Sequence, residues 1–147
     1  MKIHLATDHA GFKLKERIKE VLMRQNYAVV DHGAFSLDKR DDYPDFISRA
    51  AEAVSKNPED KAIILGGSGE GEAMVANRFE HVRATVYYGG DDKIITLSRE
   101  HNNANVLSLG ARFMSEREAL HAVKVWLATA FSGDKRHVRR IYKMEAR

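Results

Sequence analysis

A chain of 147 residues, 44% hydrophobic and 31% charged, fits one domain with a real core, spanning residues 1–147. Lys and Arg number 24 against 21 Asp and Glu; the net charge of +3 is too modest to argue for nucleic acid but suits anionic small molecules. Cysteine is absent, which excludes a disulfide framework, a thiolate metal site, a CxxC redox motif and a cysteine nucleophile. No apolar run approaches the ~18–20 residues that cross a bilayer, and Met1-Lys2-Ile3-His4-Leu5, polar again by Asp8, is no signal peptide. A cytoplasmic protein without a membrane partner is expected.

Short apolar runs alternate with longer segments of helical period. Residues 3–7 read as a strand, and residues 11–25 as a helix with Phe12, Ile18, Val21 and Leu22 inward. A strand over 27–31 follows. Pro44 then opens a helix through about Lys56, in its favoured first-turn position. A third strand over 62–65 leads into a glycine cluster and a short helix to about Arg78. The fourth strand covers 83–88, a helix 91–100, and the fifth strand 106–109. Ser115 and Glu118 form a capping box that starts a helix to Ala130. Gly133 breaks it, and the basic tail from Asp134 to Arg147 is helical again. This β-α-β-α beat predicts a five-stranded parallel sheet in a three-layer α/β/α sandwich of Rossmann-like type, closed by a C-terminal helix. Ligands of such sheets sit at the carboxyl ends of the strands, so the residues that follow each strand carry the functional reading.

Strand one ends in Thr7-Asp8-His9-Ala10-Gly11, where a dinucleotide-binding domain would carry GxGxxG. A carboxylate and an imidazole argue against a nicotinamide or flavin dinucleotide. Asp8 is equally a good cap for the next helix, with His9 packed beside it. Strand three ends in Gly66-Gly67-Ser68-Gly69-Glu70-Gly71-Glu72, which is neither GxGxxG nor a P-loop. Four glycines in six positions imply close backbone approach or positive φ. Successive N–H groups there make a hole for phosphate or a developing oxyanion, to which Ser68 adds a hydroxyl. Glu72 stands beside that hole, although a carboxylate in a first helical turn also simply complements the helix dipole.

The stretch Ser98-Arg99-Glu100-His101-Asn102-Asn103-Ala104-Asn105 is amide-rich, and a helix exit and turn would account for it as well as chemistry would. Strand five ends in Gly110-Ala111-Arg112, an arginine at the same sheet edge. In the tail, Arg136 and Arg140 share a helical face and suit a phosphate, or form a solvated basic surface. His101, His121 and His137 lack zinc-site spacing, so no metal is expected.

The motifs DHAG, DYP, GGSGEGE, AN, REHNNAN, GAR and RHVRRI, in that order from Asp8 to about Ile141, resemble the ribose-5-phosphate isomerase type B family. The wider family includes galactose-6-phosphate isomerase subunits. The resemblance implies a flavodoxin-like fold with strand order 2-1-3-4-5. It also implies a homodimer, in some members paired into a tetramer, with sites shared between subunits and no cofactor or metal. It makes Asp8 and His9 substrate contacts and places Tyr43 in the pocket lining. Gly67, Ser68, Gly69, Glu70 and Gly71 would wrap the reacting end of a sugar phosphate. His101 would open the sugar ring with Asn102 beside it, and Arg112, Arg136 and Arg140 would bind substrate and phosphate. Many members carry a cysteine base directly after strand three, where this chain has Gly66. A second branch uses the glutamate that closes GGSGxGE, which makes Glu72 the base, with Glu70 as the rival carboxylate. The implied activity is interconversion of ribose 5-phosphate and ribulose 5-phosphate through a cis-enediolate. An isomerase of allose or galactose 6-phosphate, and a non-catalytic sugar-phosphate-binding module, are the alternatives.

Overall fold

Each short apolar run forms a strand of one parallel sheet: β1 (Lys2–Thr7), β2 (Ala28–Asp31), β3 (Lys61–Gly66), β4 (Ala84–Tyr87) and β5 (Val106–Gly110). The helices are α1 (Phe12–Arg24), α2 (Tyr43–Lys56), α3 (Glu70–Ala76), α4 (Lys93–Glu100), α5 (Glu116–Ala128) and α6 (Lys135–Glu145). This is a computed structural model, and it describes residues 1–146. Arg147, which closes the helix expected for the tail, lies outside the described residues.

Successive strand residues face opposite sides of a sheet, and the core divides accordingly. Ile3, Leu5, Ile63, Leu65, Leu107 and Leu109 meet Ile18 and Leu22 of α1, Ile95 of α4 and Trp126 of α5. On the other face, Ala6, Ala62, Ile64 and Val106 meet Ile47, Ala50, Ala51 and Val54 of α2 and Ala76 of α3. The helices form where the caps and periodicity place them. Ser115 Oγ accepts from the Glu118 N–H at 3.1 Å and closes the expected capping box. Its helix stops two residues early, because Thr129 is already extended.

Three features differ from expectation. A single 3-10 turn, His9–Gly11, precedes α1, because Asp8 caps it by accepting from the Ala10 N–H at 2.9 Å. On α1, Lys15 rather than Phe12 or Val21 is fully buried: its Nζ meets both Asp31 oxygens at 2.8 Å and the Ala34 carbonyl at 2.7 Å. A buried ammonium persists only when its donors are satisfied in this way. That anchor holds the segment after β2 against the end of β1, where the Thr7 N–H donates to Gly33 and its carbonyl accepts from Ala34.

The third difference is topological. The order is β2-β1-β3-β5-β4, not 2-1-3-4-5. Every residue of β5 is buried, whereas only one of four in β4 is. A strand buried on both faces must lie inside the sheet, which leaves β4 as the edge. The swap aligns Gly66 with Gly110, so the residues after β5 run beside the glycine loop.

Candidate active site

The carboxyl edge of the sheet collects the first group of candidate residues. The Thr7 hydroxyl donates to the Leu65 carbonyl at 3.0 Å and ties the end of β1 to β3. Asp8 is buried there, where it caps the turn that follows β1. The glycine loop lies across β5: the Ser108 hydroxyl donates to the Gly69 carbonyl at 2.6 Å, and Gly69 takes φ +82°, which favours glycine. The Ala111 and Arg112 N–H groups donate to the carbonyls of Gly66 and Gly67 at 2.9 and 3.1 Å, and the Arg112 guanidinium passes over Gly67. Tyr43, at the start of α2, brings its hydroxyl against Gly71. Ser68 Oγ accepts from the Glu70 N–H at 3.2 Å, which leaves its own proton free to donate.

Glu72 is 4% exposed, while Glu70 stands in solvent. A Cβ built on Gly66 would fall on the Glu72 carboxylate. The missing side chain at the end of β3 and the buried glutamate are therefore one feature, since both cannot occupy that space. Burial pushes the Glu72 carboxyl above its usual range near 4.5. The Asp8 carboxylate adds to the rise, and backbone N–H groups of Glu72 and Gly69 oppose it. A buried carboxyl held this way exchanges a proton more readily near neutral pH than an exposed one. The helix that follows, α3, has only seven residues, so an anion in the loop would rely on local N–H groups more than on a helix dipole.

The remaining candidates lie at the opposite edge. His101 ends α4, which runs back toward the amino ends of the strands, and its ring stacks on His137 of α6 at 4.2 Å between centroids. Arg83, just before β4, donates to the Asn103 carbonyl at 3.1 Å and pairs with Glu145 of α6. Asn102 borders an open cavity of about 680 Å³ with Arg83, Thr85 and Glu145. Arg136 and Arg140 are exposed on α6, flanking His137. Burial, with charge from His101, Arg136 and Arg140, holds the His137 ring below its usual pKa. Much of the amide-rich stretch is structural: Asn103 accepts from Arg99 at 3.0 Å, and Asn105 holds the Arg83 N–H at 2.8 Å and the His81 carbonyl.

The candidate residues thus fall into two groups. Asp8, His9, Tyr43, Gly67, Ser68, Gly69, Glu70, Gly71, Glu72 and Arg112 gather at one sheet edge, and His101, Asn102, Arg136 and Arg140 at the other. Strands of five and six residues separate these edges by roughly 17–20 Å. Two neighbours drew no functional role from the sequence. His137 stands between the arginines, where its stacking depends on how α6 docks. Asp41 adjoins the Asp42-Tyr43-Pro44 motif and accepts from the His9 ring at 2.6 Å. Only the fold brings these positions, 32 residues apart, together. Asp8, His9 and Asp41 each place one donor atom within 4.8 Å of the others.

Comparison with known proteins shows the family. The family model described as Ribose/Galactose Isomerase matches residues 3–144. A protein of Mycolicibacterium paratuberculosis named ribose-5-phosphate isomerase B is 40% identical over 141 residues, covering 96% of this chain and 87% of the relative. The Escherichia coli protein of that name is 36% identical over 145 residues, covering 99% and 95%. The crystal structure of ribose-5-phosphate isomerase B from Mycoplasma genitalium with bound ribulose 5-phosphate superposes with a TM-score of 0.94 at 40% identity, covering 99% of this chain and 94% of that one. No described helix is long and apolar enough to cross a membrane.

Proposed function

Since the chain belongs to the ribose/galactose isomerase family, we propose that it is a single-domain aldose–ketose isomerase of the cytoplasm that interconverts ribose 5-phosphate and ribulose 5-phosphate. The observation that carries this reading is the buried Glu72 carboxylate in the space left by Gly66, beside a loop of backbone donors. The reaction moves one proton between C1 and C2 through a cis-enediolate. Glu72 takes the proton from one carbon and returns it to the other, a step to which a well-placed base contributes about 10²–10⁴-fold. N–H groups of the glycine loop and the Ser68 hydroxyl stabilise the enediolate oxygen, each donor being worth ~10²–10³-fold. Asp8, His9 and Tyr43 contact the sugar. Arg112, Arg136 and Arg140 hold substrate and phosphate so that C1 and C2 face Glu72. Ketose formation from ribose 5-phosphate tests the reading directly, with allose 6-phosphate and galactose 6-phosphate compared by kcat/KM. Absence of ribulose 5-phosphate formation overturns it.

His101 moves the proton that opens the furanose ring, with Asn102 beside it. Ribulose 5-phosphate cannot close into the same ring. His101→Asn is therefore expected to slow turnover of ribose 5-phosphate more than that of ribulose 5-phosphate. Initial rates in both directions check this, and equal losses count against the ring-opening role.

The two groups of candidate residues become one site if the chain forms a homodimer in which the amino edge of one subunit faces the carboxyl edge of its partner. The separation of the edges within one chain supports this arrangement. Refolding a 1:1 mixture of Glu72→Gln and His101→Asn subunits is expected to raise ribose 5-phosphate turnover above that of either variant alone. Random pairing puts one intact site in half of the dimers, about a quarter of wild-type activity. A mixture no better than its components places the whole site in one chain.

A further inference from the structure

We infer that Asp41 is a positioning residue that fixes the His9 ring for contact with the sugar phosphate, a role that deepens the isomerase reading and rests on it. One oxygen, Asp41 Oδ1, accepts from the His9 ring Nδ1 at 2.6 Å and from the His9 backbone N–H at 3.0 Å. The side chain and main chain of the same residue are thus gripped by one atom. Asp41 itself is only 9% exposed, and its second oxygen is buried with no hydrogen-bond partner among the described residues. Burying a carboxylate with an unused acceptor costs stability, and such costs persist mainly where a group serves the site.

An ionised carboxylate only accepts, so the ring must carry its proton on Nδ1. That pairing sets the tautomer and leaves Nε2 as the free nitrogen, on a ring that is 25% exposed at the site edge beside Asp8. A carboxylate behind an imidazole commonly fixes orientation in this manner. The pair forms through tertiary structure: the loop carrying Asp41 leads into α2, and His9 sits in the 3-10 turn after β1.

The test is a double-substitution cycle. With wild-type turnover of ribose 5-phosphate established first, Asp41→Ala is expected to raise KM by about tenfold. The change in kcat should stay within about threefold, because the contact acts in binding. Asp41→Asn, which keeps an acceptor, should recover part of the loss. In a His9→Ala background, Asp41→Ala should add almost nothing, since Asp41 acts through His9. An unchanged KM in Asp41→Ala, or an equal penalty with and without His9, overturns the assignment. A wild-type protein that does not isomerise the sugar instead overturns the functional reading on which it rests. Nitrogen-15 shifts of the wild-type imidazole give a readout that survives a misfolded variant. The neutral His9 ring should be Nδ1-protonated, and an Nε2-protonated ring overturns the assignment.

Discussion

Glu72→Gln is expected to lower kcat for ribose 5-phosphate by about 10²–10⁴-fold while KM stays within about threefold. The amide fills the same space beside Gly66 and cannot accept the proton from C2. Loss of solvent tritium exchange into substrate should accompany the loss of turnover, and near-normal kcat would falsify the assignment. The pKa direction adds two consequences. Because Glu72 must be ionised to act, kcat/KM of the wild type should fall on the acid side at a pH above the ordinary carboxylate range near 4.5. Stability has the opposite sign. A carboxyl whose folded pKa exceeds its unfolded value binds more protons when folded. Its contribution is present below the unfolded pKa and is lost as pH rises through the folded one. Removing the charge should therefore raise Tm at neutral pH, measured by thermal unfolding, even as activity disappears. That pairing separates loss of a base from loss of fold.

Gly66→Ala should be nearly as damaging, although it touches no reacting atom. One methyl group at the end of β3 meets the Glu72 carboxylate, and the glutamate must leave its position. Losing the alignment of a base costs about as much as losing the base, so a fall in kcat of ~10²–10³-fold is expected. The companion variant Gly67→Ala meets only the Arg112 side chain, from 3.4 Å. It should therefore affect KM more than kcat. If Gly66→Ala turns over like wild type, the space at the end of β3 does not position Glu72. A side chain at the end of β3 and a glutamate six residues later compete for one volume.

Local chemistry made several features readable in advance. Alternating apolar runs and capping residues placed all five strands and six helices within a few positions, because hydrophobic period and cap geometry are local. The GGSGEGE loop, its closing glutamate and Arg112 were legible for the same reason: they follow strands directly. Lys15 defeated the periodic reading, since its partner Asp31 and the Ala34 carbonyl come from the next strand and loop. Asp41 was missed because nothing local in a loop aspartate announces a histidine 32 residues earlier.

By itself, then, the sequence determined the fold class and the absence of thiol chemistry, and its family resemblance supplied the candidate site residues. A positive balance of three charges suited an anionic small molecule and the lack of cysteine removed thiol chemistry, while the choice of a carboxylate base came from the family resemblance. Only the tertiary structure decided which carboxylate is withdrawn from water: it buries Glu72 and leaves Glu70 exposed. It also placed β5 inside the sheet beside the glycine loop, and left His101, Arg136 and Arg140 at the far edge. The reason is the range of the interactions. Periodicity and capping act over a few residues, whereas burial, strand order and the distance between two sheet edges depend on packing between segments far apart in the chain.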